Sequence, residues 1–279
     1  MALLESWSRL AEDLVRAGPG GALEWEGVTL RTRFQPIYSA SRATCVGYEA
    51  LARAADPVGR GLATESVFGV VAGQRRIFLD RICRALHLRN FATVDPGQCT
   101  LFVNVRPEAA VSDARCTSEY ASLIRYYGLV PKRICMEIVE SDCEDEAMLR
   151  DAVHAYRSMG ASIAIDDFGT GRSNFDRILA FRPDMVKLDR CMLQEAMGRS
   201  RAASALAPVI RLLHEAGAQV VMEGVESSAE ALVAIDAGAD LLQGNYFAAP
   251  AATLCDDRFN SGVLHRLWGM REASPVGDD

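Results

Sequence analysis

The chain of 279 residues lacks any uncharged apolar run of about 18 residues, which excludes a membrane-spanning helix. Its first 21 residues carry Glu5, Glu12 and Asp13 and have no long apolar segment, so they are not expected to act as a secretory signal. Positive charge is in short supply: 30 Lys and Arg stand against 37 Asp and Glu, a formal net charge of −7. Without a basic face, no DNA or RNA polymer is expected as the main partner, and no membrane either. Acidity leaves a small anionic ligand open, because bound divalent cations reverse the local field. The eight cysteines are scattered at 45, 83, 99, 116, 135, 143, 191 and 255, without a close pair or a Cys/His cluster of zinc spacing. They are read as reduced small hydrophobes in a cytoplasmic protein. No internal repeat and no low-complexity segment interrupts the chain.

What is present is apolar mass, 49% hydrophobic residues against 24% charged, enough for a sizeable core. Leu3, Trp7, Leu10 and Leu14 fall at helical spacing and predict a helix over 3–16, broken by Gly18-Pro19-Gly20-Gly21. Val28–Tyr38 and Thr44–Leu51 predict two strands joined by the polar turn at 39–42, so the sheet opens with a hairpin. Thereafter short apolar runs recur at Leu101–Val105, Ile134–Ile138, Ser162–Ile165, Met185–Leu188, Gln219–Met222 and Leu241–Leu242. Helix-like segments alternate with them at Asp145–Met159, Ser173–Phe181, Ala202–Ala216 and Ser228–Ala237. Continuous short runs are what strands buried on both faces look like, and the alternation implies parallel βαβ units. The expected fold class is α/β, a modified (β/α)8 (TIM-type) barrel with one antiparallel strand near the N-terminus. Residues 1–21 form an N-terminal helix and linker, 22–272 the single domain, and 273–279 an expected disordered tail.

Each apolar run contains, ends in or is followed by a carboxylate, an amide or a lysine. Glu49 ends one strand, Asn104 sits in the next and Glu137 near the end of the third. Asp166 and Asp167 follow, then Lys187, Glu223 and Gln243. Packing gives core strands no reason to end this way, but parallel barrel strands converge their C-terminal ends on the face where barrel active sites lie. The carboxylates and the Asn104 amide oxygen are hard ligands, suited to Mg2+ or Mn2+ rather than to zinc. Asp166 and Asp167, crowded by Glu49 and Glu137, repel one another unless cations intervene. Two ions about 3.5–4 Å apart activate a water and stabilise the leaving oxygen of a phosphoester. Lys187 adds a positive or proton-accepting group. Gly169-Thr-Gly171, directly after the aspartate pair, reads as a mobile active-site loop. These residues point to metal-assisted phosphoester hydrolysis.

The same residues resemble the EAL domain family of cyclic di-GMP phosphodiesterases from about Phe34 to Pro250. The matching segments are Phe34-Gln-Pro-Ile37, Tyr48-Glu-Ala-Leu-Ala-Arg53, Phe102-Val-Asn-Val105, Glu137-Ile-Val-Glu140, Ile165-Asp-Asp-Phe-Gly-Thr-Gly171, Lys187-Leu-Asp-Arg190, Glu223-Gly-Val-Glu226 and Gln243-Gly244. Glu-Ala-Leu alone is a chance tripeptide; eight segments in order are specific. The resemblance implies hydrolysis of cyclic di-GMP to linear pGpG. It implies that Glu49, Asn104, Glu137 and Asp166 hold one metal ion. Asp166, Asp167 and Glu223 would serve a second, with Asp166 bridging, and Ca2+ is expected to inhibit. Lys187 looks like the group that helps deprotonate the attacking water, with Glu49, Glu223 and Gln243 completing the catalytic set. Arg53 matches a phosphate-gripping position, Gln35 a residue beside one guanine, and Asp189 joins the substrate-binding set. Glu140 resembles the anchor of the glycine loop.

Departures from the family pattern are Arg172 in the loop, Val139 between the two glutamates, Arg106 in place of a serine, and Met222 in place of an alanine. None is an expected metal ligand. The extension before residue 22 is too short for a sensor or cyclase-type domain, so a stand-alone catalytic domain is expected. A binding module of the same fold, sensing cyclic di-GMP without cutting it, is the second reading. Such members usually have lost metal ligands, and this chain keeps all of them. The resemblance also implies a homodimer with a two-fold interface near the helix expected at Ser173–Phe181.

Overall fold

Burial on both faces makes the short apolar runs into strands, since aliphatic side chains above and below the sheet all leave water. In the computed structural model every residue of Ile134–Ile138 and of Met185–Leu188 is buried. The structure describes residues 21–95, 97, 99–114, 116–139, 145–170, 175–198, 200–255, 262–267 and 269. The helix expected over 3–16 and the tail at 273–279 lie outside them.

The strands are β1 (Ala22–Trp25), β2 (Val28–Ser39), β3 (Cys45–Ala55), β4 (Gly61–Leu62), β5 (Thr100–Val105), β6 (Ile134–Ile138), β7 (Ser162–Phe168), β8 (Met185–Leu188), β9 (Gln219–Met222) and β10 (Leu241–Leu242). Between them run α1 (Thr64–Gly69), α2 (Gln74–Val94), α3 (Pro107–Asp113), α4 (Thr117–Tyr126), α5 (Glu146–Met159), α6 (Phe175–Phe181), α7 (Arg190–Gly198), α8 (Ser200–Glu215) and α9 (Ser228–Ala237). The strand order is β1-β2-β10-β9-β8-β7-β6-β5-β3-β4, with β2 also paired to β3. This is the modified (β/α)8 barrel expected, eight strands closed and β2 antiparallel to β10. Two of the boundary differences from the sequence reading bear on the site. β3 continues to Ala55, so Glu49 lies within the strand rather than at its end. β7 runs on through Asp166 and Asp167 to Phe168.

Two compact units divide the chain: one gathers 21–34 and Glu49–Ile163, the other Gln35–Tyr48 and the described residues from Ala164 onward. In the first, parallel β5 and β6 pair in register from Leu101↔Ile134 to Val105↔Ile138. Helix α5 begins at Asp145, whose carboxylate accepts the Met148 N–H at 2.9 Å, and ends at Gly160 with φ 102°. Its buried residues Leu149, Ala152, Val153 and Tyr156 make the stripe that the sequence predicts. In the second unit β7, β8, β9 and β10 are successive parallel neighbours. Helix α9 opens with a capping box between Ser227 and Glu230.

Helix α2 carries no apolar stripe, and the sequence reading passed over it. Asp80, Arg81, Arg84 and His87 are buried along with Leu79, Ile82, Leu86 and Leu88, so polar and apolar residues alternate around the axis. The burial is tolerated because the charges are paired. Arg84 Nε donates to Asp80 at 2.6 Å and its Nη2 to Asp113 at 2.6 Å. Arg81 Nε donates to the other oxygen of Asp113 at 2.7 Å, and the Tyr156 hydroxyl donates to Asp113 at 3.2 Å. Asp113, fully buried, is the hub. Removing one partner of a buried charge network strands the others without compensation. Asp113→Ala should therefore cost about 3–5 kcal/mol of stability, read from urea unfolding, well above the cost of Asp113→Asn. An Asp113→Ala midpoint equal to that of the parent would refute the network's structural role.

Candidate active site

In a regular strand successive side chains face opposite ways, so two adjacent aspartates cannot serve one site. A bulge in β7 removes the conflict. Ile165 pairs with Val186 and Phe168 with Leu188, which leaves Asp166 and Asp167 opposite the single residue Lys187. Asp167 takes φ 56°, a left-handed conformation rare for a residue other than glycine. The Thr170 hydroxyl donates to the Asp167 carbonyl at 3.1 Å and closes the following turn. There Gly169 has φ 109°, and a Cβ would lie 2.5 Å from Met192 Sδ.

The bulge brings Asp166 and Asp167 together with Glu223, just beyond β9: carboxylate oxygens of all three lie within 4.8 Å of one another. Lys187 Nζ sits 3.0 Å from Asp166 Oδ1 and 2.7 Å from Glu223 Oε1, with its side chain only 1% exposed. Three carboxylates thus gather near one ammonium. All donors are oxygens, so the group fits a hard cation such as Mg2+ or Mn2+. Gln243, buried after β10, donates its amide N–H to Gln35 Oε1 at 3.2 Å, and Gln35 donates to the Ala248 carbonyl at 3.3 Å. Gly244 has to be glycine: a Cβ would lie 2.1 Å from the Val225 carbonyl oxygen. Asp189 accepts the Cys191 N–H at 2.7 Å and caps α7, a structural duty beside its expected contact with substrate.

The first unit holds the remaining expected ligands. Asn104 and Glu137 are register partners on β5 and β6, and Asn104 Nδ2 donates to Glu49 Oε1 at 2.8 Å. Because the amide nitrogen is engaged by Glu49, Oδ1 is the Asn104 atom with lone pairs for a cation. Glu49 is 6% exposed and Glu137 fully buried, two carboxylates set beside a neutral amide oxygen. This trio too is a hard-oxygen set. Arg53 and Asn104 line a cleft of about 200 Å³ in this unit. Glu140 and Arg172 lie outside the described residues.

The same cleft is lined by Asp80, Arg84 and His87 of α2, which the sequence reading missed. Their spacing of four and then three residues is the signal that could have found them, a polar stripe along one helix face. Asp80 Oδ2 accepts the backbone N–H of Arg106, two residues beyond Asn104, at 3.2 Å. Burial pushes the Asp80 carboxyl above its ordinary value despite the Arg84 guanidinium beside it. Burial likewise pushes the His87 imidazole down to about 3, and its Nδ1 pairs with the Thr32 hydroxyl at 2.8 Å.

Comparison with known proteins adds the following. The family model of the EAL domain matches residues 22–250. The chain is 29% identical over 244 residues to the cyclic di-GMP phosphodiesterase RocR of Pseudomonas aeruginosa, covering 85% of this chain but 60% of that one. Among solved structures, a standalone versatile EAL protein from Vibrio cholerae in its c-di-GMP bound form superposes with a TM-score of 0.73. It is 29% identical, with 81% of this chain and 94% of that one covered. Klebsiella pneumoniae BlrP1 in a calcium/cy-diGMP complex gives a TM-score of 0.70 at 25% identity, covering 80% of this chain and 56% of that one. Among the described residues no helix is long and apolar enough to cross a membrane.

A neutral buried His87 has a pH consequence. Its folded value of about 3 lies below the ordinary 6.5, so the unfolded chain binds the extra proton first. Stability contributed this way is fully present above 6.5 and is lost as pH falls from there toward 3. His87→Gln, which keeps a hydrogen-bonding group for Thr32, should flatten the decline of the urea midpoint between pH 7.5 and pH 5. Parallel declines for the two proteins would show that His87 does not titrate on unfolding.

Proposed function

The chain belongs to the EAL domain family, and from that premise we propose that it is a metal-dependent phosphodiesterase hydrolysing cyclic di-GMP to linear pGpG. The observation that carries this reading is the cluster of Asp166, Asp167 and Glu223 beside Lys187, whose carboxylate oxygens suit a divalent cation. The proposed domain is 22–272. Following the resemblance, Glu49, Asn104, Glu137 and Asp166 are assigned to one ion and Asp166, Asp167 and Glu223 to a second. Bound Mg2+ or Mn2+ supplies water activation and stabilisation of the leaving oxygen. In the reaction a water oxygen bonds to one phosphorus while that phosphorus loses one ester oxygen, which leaves a linear dinucleotide. Lys187, held between two carboxylates, fixes their orientation and, following the resemblance, is assigned to help deprotonate the attacking water, which it does as the neutral amine. Arg53 grips a phosphate with its planar fork, Gln35 and Asp189 contact the dinucleotide, and Gln243 orders Gln35. Glu140 is kept as the proposed anchor of the glycine loop. The proposed site of action is the cytoplasm. The alternative, a catalytically weak cyclic di-GMP-binding module, usually goes with lost metal ligands, and every expected ligand type is present in this sequence.

Purified protein with cyclic di-GMP and Mn2+ should produce pGpG. Glu49→Ala, Asn104→Ala and Asp166→Ala should each lower the rate at least roughly a hundredfold, more than loss of an outer-shell partner typically costs. Lys187→Ala should lower kcat while keeping much of the affinity, whereas Arg53→Ala should mainly weaken binding. Ca2+ as sole metal should inhibit, because its larger and looser shell misplaces the attacking water. Equal rates in Ca2+ and Mg2+, or near-parental activity of any ligand variant, would overturn the assignment.

We also propose a homodimer whose contact involves α6, the helix that follows the aspartate pair and the glycine loop. Leu179 on this helix is 60% exposed, an apolar residue without cover in the single chain. Light scattering over a dilution series, with activity measured on the same samples, should show dimer dissociation and falling activity together. A monomer with concentration-independent activity excludes the coupling.

A further inference from the structure

The cleft of the first unit is lined by three guanidinium groups, from Arg53, Arg84 and Arg106. Arg84 is committed to Asp80 and Asp113, each at 2.6 Å. Arg106 is not balanced in the same way. Its Nε donates to Glu108 Oε1 at 3.1 Å, but the same oxygen also meets Arg76 Nε at 2.9 Å. One carboxylate therefore serves two guanidiniums. Partial burial works to raise the Glu108 carboxyl, yet its own backbone and Arg106 hold it below the usual range, so a single anion stands between Arg76 and Arg106. Arg53, exposed at the cleft, adds a further guanidinium, and Glu65, also exposed there, adds a carboxylate.

Arg106 is also held in place. Its backbone N–H is fixed to buried Asp80 at 3.2 Å, and its guanidinium carbon lies 6.0 Å from the centre of the Phe68 ring, which lines the same cleft. An arginine anchored at its backbone, its Nε and one face presents its remaining N–H groups in a fixed direction, the arrangement that suits phosphoryl oxygens. Asn104, two residues before it, lines the cleft as well.

We propose that Arg106 is a specificity-determining residue, which acts with Arg53 to clamp one phosphoryl group of the dinucleotide in this cleft. The proposal rests on the cyclic di-GMP reading above and adds to it a contact made by a residue that departs from the family pattern. Charge-assisted hydrogen bonds of this kind are worth roughly a tenfold change in affinity or more. Arg106 would thus set how tightly this chain holds its ligand against relatives with serine there.

The test is calorimetric binding of cyclic di-GMP in Ca2+, where the dinucleotide stays uncut, to the parent protein, Arg106→Ser and Arg106→Lys. Arg106→Ser should raise Kd about tenfold, and Arg106→Lys should recover part of the loss as a point charge without the fork. The dependence of Kd on salt should be shallower for Arg106→Ser, because one ion pair to phosphate is gone. A Kd unchanged in Arg106→Ser overturns the clamp and leaves the phosphodiesterase reading standing. A raised Kd with an unchanged salt dependence also overturns it, since the lost contact would then be to base or sugar. Failure of the parent protein to bind the dinucleotide at all overturns the phosphodiesterase reading itself.

Discussion

Alternation along a β-strand is the constraint on which the second unit's carboxylate cluster depends. Neighbouring residues face opposite sides, so a chain that places Asp166 and Asp167 in one cluster has to break the register between them. β7 does so by setting two residues against one on β8, and the residue opposite the bulge is Lys187. The cost falls on Asp167, held at φ 56°, where an L-residue is strained. The turn hydrogen bonds from Thr170 N and Oγ1 to the Asp167 carbonyl offset part of that strain. So does the β8 edge, where Asp189 N–H meets the Phe168 carbonyl at 3.1 Å. Local distortion is thus concentrated at the point where the proposed chemistry needs two carboxylates.

Charge compensation follows the same economy in both units, with opposite outcomes. Around Asp113 the structural charges are paired: its two oxygens receive Arg81, Arg84 and the Tyr156 hydroxyl, and Asp80 takes the remaining arm of Arg84. Around Lys187 one ammonium stands between two of three clustered carboxylates. A paired network of the first kind rigidifies, whereas carboxylates crowded together favour a nearby cation. The difference separates the residues that hold the fold from those assigned to the chemistry.

Much of this was legible because parallel barrel strands announce themselves as short, fully apolar runs. Ile134–Ile138, Met185–Leu188, Gln219–Met222 and Leu241–Leu242 have the boundaries that the sequence indicates. The polar residues closing those runs were visible for the same reason, since nothing else in a core strand explains a glutamate or lysine. Two features were not legible. Glu49 reads as a strand end, yet β3 continues to Ala55; the run Leu51–Ala55 contains exposed Arg53 and loses its apolar signature. Helix α2 reads as nothing in particular because its buried face includes Asp80, Arg81, Arg84 and His87. Hydrophobic periodicity assumes that burial selects apolar side chains, and that assumption fails where a helix carries paired charges.

Helix α2 also shows how a buried charge network and a ligand-binding strand end become one device. Asp80 faces two ways: one oxygen takes the Arg84 guanidinium, the other the peptide N–H of Arg106. That peptide follows Asn104 by two residues, and Asn104 in turn holds Glu49. A chain of hydrogen bonds therefore runs from Asp113 through Arg84 and Asp80 to the end of β5. Such continuity makes the position of Asn104 a property of the core rather than of a loop, and a side chain fixed in this way needs little ordering for the role proposed for it. The same route explains why Arg106 differs from an ordinary surface arginine. Its backbone is tied to the most deeply buried charges of the first unit, while its guanidinium lines a cleft open to solvent.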